Sequence, residues 1–170
     1  TENSVLHNPE LIRQAECNLF EQVIKDQNEF DLIHTHIEPI IARNDKGNYF
    51  EKINIPVIVT MHNQTYLESH IHYYKSHPKL HSLHYIFISN NQSKPLSFLP
   101  YKSIIYNGIN LENLELSTNP RNNQLLFLGR ITPEKGILQA IQIAKAVKKK
   151  VIIAAAIDCS QEEFFRTEIL

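Results

Sequence analysis

The sequence predicts an α/β protein built on a parallel sheet, and three observations carry that prediction. Strand-like and helix-like segments alternate along the 170 residues. Most strand-like runs (VIVTM, YIFI, LLFL, VIIAAA) are continuously apolar rather than alternating, as strands covered on both faces are. Residues 124–156, QLLFLGRITPEKGILQAIQIAKAVKKKVIIAAA, read as strand, charged turn, helix and strand, a βαβ unit.

In order, Leu11, Ile12, Ala15, Leu19, Phe20, Val23 and Ile24 recur at three- and four-residue intervals, predicting a helix over Pro9 to Phe30. Asn8 is its cap, and Pro9 stands at the first helical position. FDLIHTH is a short strand. The stretch from Glu38 to Ile53 is mixed, with a break at Gly47-Asn48. VIVTMH, Val57 to His62, is expected to be a fully buried strand. Gln64 to Leu83 reads as helix plus loop limited by Pro78, and YIFIS is the next strand. Asn90 to Leu99 is a short helix or turn broken at Pro95. KSIIYNGI is a strand ending at Asn107-Gly108, and Asn110 to Asn123 is a polar connector. Strand, helix and strand follow, with LLFL expected to be buried, and Gln161 to Leu170 begins another helix.

Composition narrows the function classes. A formal net charge of −1 and a pI of about 6.7 give no basic footprint for nucleic acid. Cys17 and Cys159 match no zinc or redox spacing, which fits a reducing, cytoplasmic setting. No apolar run approaches the ~18 residues of a membrane span, and the polar start TENSVLHNPE is unlike a signal peptide. Only four glycines occur, so no glycine-rich phosphate loop is present. One βαβ unit after the connector cannot cover both faces of its own sheet, and cores below ~60 residues are marginal. The chain is therefore expected to be a piece of something longer, incomplete at both ends, and to self-associate through exposed sheet surface.

The candidate site residues lie where strands end. Arg130 and Lys135 flank Thr132-Pro133, a helix start on this reading. Cations at the carboxyl end of a strand, beside a helix amino terminus, suit a phosphate or diphosphate; solvated charges in a turn are the plainer alternative. His62 follows a buried strand and should project from its carboxyl end, toward a ligand or as a strand-end cap. His34 and His36 share one side of their strand, with His36 nearer the ligand end, as lining or as packing. His70, His72, His77, His81 and His84 form a loose cluster; His70 and His72 diverge on a helix, so no metal is expected. Ser89 and Gln92 follow a strand and could reach the cleft, although capping the next helix is the simpler role. Lys148 to Lys150 complement the helix dipole, and Glu162-Glu163 do not form a pattern of paired catalytic carboxylates.

The segments FDLIHTH, IPVIVTMHN, YIFISNNQ, IIYNGIN and LLFLGRITPEKGILQAIQIAK, in this order, resemble retaining glycosyltransferases of the GT-B fold, and more narrowly the bacterial family 4 type. The resemblance covers roughly Phe30 to Phe165, with gaps. It implies two Rossmann-like domains. Residues 1–102 would belong to the amino-terminal, acceptor-side domain, 103–123 to a strand and interdomain connector, and 124–170 to the start of a truncated donor-binding domain. It further implies that Arg130 and Lys135 bind the diphosphate of a nucleotide-sugar donor, that His62 is the catalytic-site histidine contacting the transferred sugar, and that no metal cofactor is needed. Asn107 and Gly108 match the family's hinge, and Asn110 stands where relatives carry Asp. The family's glycine-rich amino-terminal loop and its later glutamate pair are absent from this chain. The implied parent activity moves a sugar from a nucleotide-sugar to an unknown acceptor with retention. A GT-B sugar-nucleotide epimerase and a non-catalytic binding module on the same fold are the alternatives.

Overall fold

The computed structural model describes residues 8–63, 65, 67–112, 114, 123–157 and 161–170. The connector expected over 110–123 falls mostly outside these residues, as does Cys159. The chain divides into two compact units, Thr1–Ile109 and Asn110–Leu170.

The first unit opens with α1, Pro9–Asp26. Asn8 caps it by accepting hydrogen bonds from the backbone N–H groups of Glu10 and Leu11. A 3-10 turn, Gln27–Glu29, leads to β1, Ile33–Thr35. The mixed segment forms a small antiparallel hairpin, β2 Arg43–Asn44 with β3 Gly47–Asn48. Gly47 takes φ +111° there, a backbone state that residues with a Cβ rarely adopt. Then come β4 Val57–Met61, α2 Glu68–Ser76, a 3-10 turn Pro78–Ser82, β5 His84–Phe87, α3 Asn90–Ser93 and β6 Lys102–Ile104.

These strands form one parallel sheet in the order β1-β4-β5-β6, an architecture compatible with a Rossmann-like α/β fold. Residues 103 and 104, read from the sequence as part of the strand that leads into the connector, pair within the first unit's sheet. The strand there is shorter than KSIIYNGI suggested.

Alternation along the strands separates two faces. Val57, Val59, Met61, Tyr85 and Phe87 point into one buried cluster with Phe20, Tyr49, Phe50, Tyr74, Leu80, Leu96 and Leu99. Phe20 of α1 stacks on Tyr49, with ring centroids 5.1 Å apart, and meets Phe50 edge-on. His34, Ile58, Thr60, His84, Ile86 and Ser103 alternate to the opposite face. There an open depression of about 520 Å³ is lined by residues including Leu32, Ile58, His84, Ile86, Ser103 and Ile105. The expectation of a fully buried VIVTM therefore fails at Ile58, which is only half-buried. The histidines on this face take hydroxyl partners on the neighbouring strand: His34 Nε2 lies 2.9 Å from Thr60 Oγ1, and His84 Nε2 lies 2.9 Å from Ser103 Oγ.

In the second unit, β7 Leu125–Leu128 pairs in parallel with β8 Val151–Ala154, joined through α4, Ile137–Ala146. Ile137, Ala140, Ile141 and Ala144 recur at helical spacing, and Ile137 and Ala144 are buried. The buried reading of LLFL is overturned. Leu126 is 67% and Leu128 80% exposed, because α4 is packed against this two-stranded sheet while these leucines face solvent. The helix also starts later than Thr132. Residues Pro133–Lys135 form a 3-10 turn, Gly136 takes a left-handed φ of +75°, and only then does α4 begin. Its end is marked by Lys148, also left-handed at φ 52°. The final segment is α5, Glu162–Phe164, running into a π-helical turn, Phe165–Ile169, with Arg166 and Glu162 paired at 2.6 Å.

Candidate functional site

Parallel sheets place ligands beyond the carboxyl ends of their strands, and in the first unit that end carries the candidate site. His62 and Asn63 directly follow β4, and their backbone is held from two sides. Glu38, only 2% exposed, lies beyond β1. Its Oε1 accepts from the N–H of His62 at 3.0 Å and of Asn63 at 2.7 Å. The β1–β4 register, Thr35 opposite Val59, carries forward to set Glu38 beside His62. The next residue, Pro39, is itself anchored, since the Asn48 side-chain amide donates to its carbonyl.

From the other side Gln92 reaches across from α3. Its Nε2 donates to the carbonyls of Met61 at 3.1 Å and Asn63 at 2.9 Å, while its Oε1 accepts from Ile88 N at 2.8 Å. The Thr65 hydroxyl donates to the Gln92 carbonyl. Both amide hydrogens of Gln92 are thereby engaged, so it fixes the site's walls. Ser89 caps α3 by accepting from Gln92 N at 3.1 Å, the simpler of the two roles the sequence offered.

Beside this clamp lies a cavity of about 560 Å³, lined by residues that include His62, Asn63, Thr65, Ser89, Asn91 and Lys94. Ile88 and Pro95 contribute apolar surface to the lining, and His62, Asn63, Asn91 and Lys94 contribute polar groups, a mixture ordinary for a small-molecule site. His62 and His36 are both exposed, and His36 Nδ1 lies 2.8 Å from His62 Nε2. The His36 ring lies between those of His34 and His62, with centroids 4.9 and 5.1 Å away.

His77 and His81 serve the fold. His77 Nδ1 lies 2.7 Å from Tyr73 O, and His81 Nε2 lies 2.9 Å from Tyr74 O. Among the described residues, no three side chains of histidine, cysteine, aspartate or glutamate converge as a metal site, and no helix is long and apolar enough to cross a membrane.

Arg130 and Lys135 belong to the second unit. Both are exposed, Arg130 just past β7 and Lys135 closing the 3-10 turn. Neither forms an ion pair among the described residues. With the helix start displaced to Ile137, the dipole of α4 does not begin at Thr132; the cations themselves carry the positive potential. Glu134 sits beside them. Its carboxyl is held below the usual range, first by its own backbone N–H, then by the Thr132 hydroxyl and by the Arg130 and Lys135 charges. The Thr132 hydroxyl is buried and near enough to act on Glu134, but makes no hydrogen bond of ordinary geometry.

Sequence reasoning missed Glu38. The signal was available: in HTHIEP the glutamate follows the strand at the same end of the sheet as His62, but only the strand register reveals which backbone it meets. No family model and no curated protein matches this chain.

Proposed function

We propose that this chain is part of a retaining glycosyltransferase of the GT-B type, moving a sugar from a nucleotide-sugar donor to an acceptor. The observation that carries the reading is the cavity at the carboxyl end of the parallel sheet, with His62, Asn63 and Asn91 in its lining and the His62 backbone held by Glu38 and Gln92. An imidazole there hydrogen-bonds a sugar hydroxyl, and orienting the sugar lowers the barrier to transfer. Arg130 and Lys135 supply the other requirement. Cleaving the donor's sugar–phosphate bond leaves charge on a nucleoside diphosphate, which a guanidinium and an ammonium stabilise as it develops. Two units, each with a parallel sheet, are compatible with the two-domain plan of such enzymes.

The test is a titration of the isotope-labelled chain with UDP and with GDP, followed by amide chemical shifts. We expect signals from Gly129 to Gly136 to move, and Arg130→Ala and Lys135→Ala each to weaken binding by roughly tenfold, the loss of one charge-assisted hydrogen bond. Equal affinity in the wild type and both variants, or no movement of these signals, removes the diphosphate assignment.

A further inference from the structure

The contact between His36 and His62 has a specific geometry. The nitrogens are 2.8 Å apart, the ring centroids 5.1 Å apart and the planes only 18° from parallel. Two imidazoles stacked face to face do not combine so short a nitrogen contact with so long a centroid separation. Rings meeting edge to edge, in nearly one plane, do. In that arrangement the lone pair of one nitrogen points along the N–H of the other, and a single proton lies between them.

We infer that His36 is a positioning residue for His62: their shared hydrogen bond engages Nε2 of His62, holds the ring in one orientation and tautomer, and leaves Nδ1 as the nitrogen offered to a ligand. A histidine's tautomer is set by the hydrogen bond its other nitrogen makes. The restraint on His62 is then complete. Glu38 holds its backbone N–H, Gln92 holds the carbonyls of Met61 and Asn63 on either side, and His36 fixes its ring. His36 is itself backed by His34, whose ring centroid lies 4.9 Å away and whose Nε2 is tied to Thr60. Because Nδ1 is the ring nitrogen nearer the main chain, the ligand group that meets it must come close to the backbone of His62 and Asn63. That selects a small hydroxyl on a ring edge over a bulkier or charged substituent. The sugar part of this inference rests on the function proposed above; the restraint on His62 does not.

The experiment is nitrogen-15 spectroscopy of the imidazoles in the ligand-free chain. In the wild type a through-hydrogen-bond coupling is expected between His36 Nδ1 and His62 Nε2, with His62 in one tautomer. His36→Phe keeps a flat ring and removes the nitrogens; the His62 signals should then collapse to the average of two tautomers. His36→Asn, whose amide sits where Nδ1 was, should restore one tautomer. No coupling in the wild type together with averaged His62 signals, or a His62 spectrum unchanged in His36→Phe, overturns the inference. Should His36→Phe fail to fold, the wild-type coupling and His36→Asn decide it. Since no ligand is used, the result stands apart from the nucleotide titration.

Discussion

The two units share a structural principle but differ in how completely they follow it. In the first, one face of a four-stranded parallel sheet is sealed by aromatic and aliphatic side chains, with Val59, Met61, Tyr85 and Phe87 wholly buried. In the second, two strands and one helix bury Ile137 but leave Leu126 and Leu128 facing water. The two strands of a βαβ unit pair along one edge each, yet the unit lacks the layers needed to remove apolar surface from solvent. Hydrogen bonding thus decides that these strands form, and layer number decides how much burial holds them.

The sharpest test of this contrast is alkaline. All seven tyrosines precede Ile109, so tyrosinate formation reports on the first unit alone. The Tyr49 phenol is pushed up to about 12 from its ordinary 10.0, chiefly by the neighbouring Cys17 thiol and then by burial, while burial drives Tyr74 and Tyr85 upward much further. A raised folded-state value means that the unfolded chain releases its protons first as pH rises. The stabilising contribution is complete below pH 10.0 and is lost as pH climbs toward and past 12. We expect the tyrosinate absorbance of these residues to appear cooperatively with loss of first-unit structure. Smooth, independent titration with the fold intact would break the comparison.

Next in size is Phe87→Ala. Truncating a fully buried aromatic should cost the first unit about 3–5 kcal/mol, read as a fall in its urea midpoint. Hydrogen exchange should show β4 and β5 losing protection while β7 and β8, poorly protected from the start, are unchanged. Strong protection of Leu125 to Ala156 in a monomeric wild type would show that the second unit needs no further covering. The smallest effect on stability belongs to Leu126→Thr with Leu128→Thr. Both side chains are largely in water, so stability should move by no more than ~0.5 kcal/mol. Sedimentation should nevertheless show less self-association, and an unchanged distribution would clear this face of that role.

Much of this was legible in the sequence. VIVTM, YIFI and LLFL name their own strands, and Asn8-Pro9 marks where α1 begins. Burial was harder to read, because an apolar run states what a strand prefers to contact and says nothing of whether a partner layer exists. Leu128 is apolar and exposed for that reason. The start of α4 was misplaced because Thr132-Pro133 is a sound local cap signal, whereas Gly136 in a left-handed conformation interrupts the turn three residues later. His62 was found from its place after a strand. Gln92 was singled out in the same way, but Glu38 was not, since it acts on backbone groups that only tertiary pairing brings near.

Those supports also bear on the order in which the molecule assembles. The bonds from Glu38 to residues 62 and 63 span 24 and 25 positions, and those from Gln92 to Asn63 and Met61 span 29 and 31. Each closes a loop whose entropic cost must be met before the bond returns any stabilisation. The segment around His62 therefore takes its observed shape only after three neighbouring strands have aligned. The clamp is a late event in folding, and a chain that has collapsed without registering its strands does not have it.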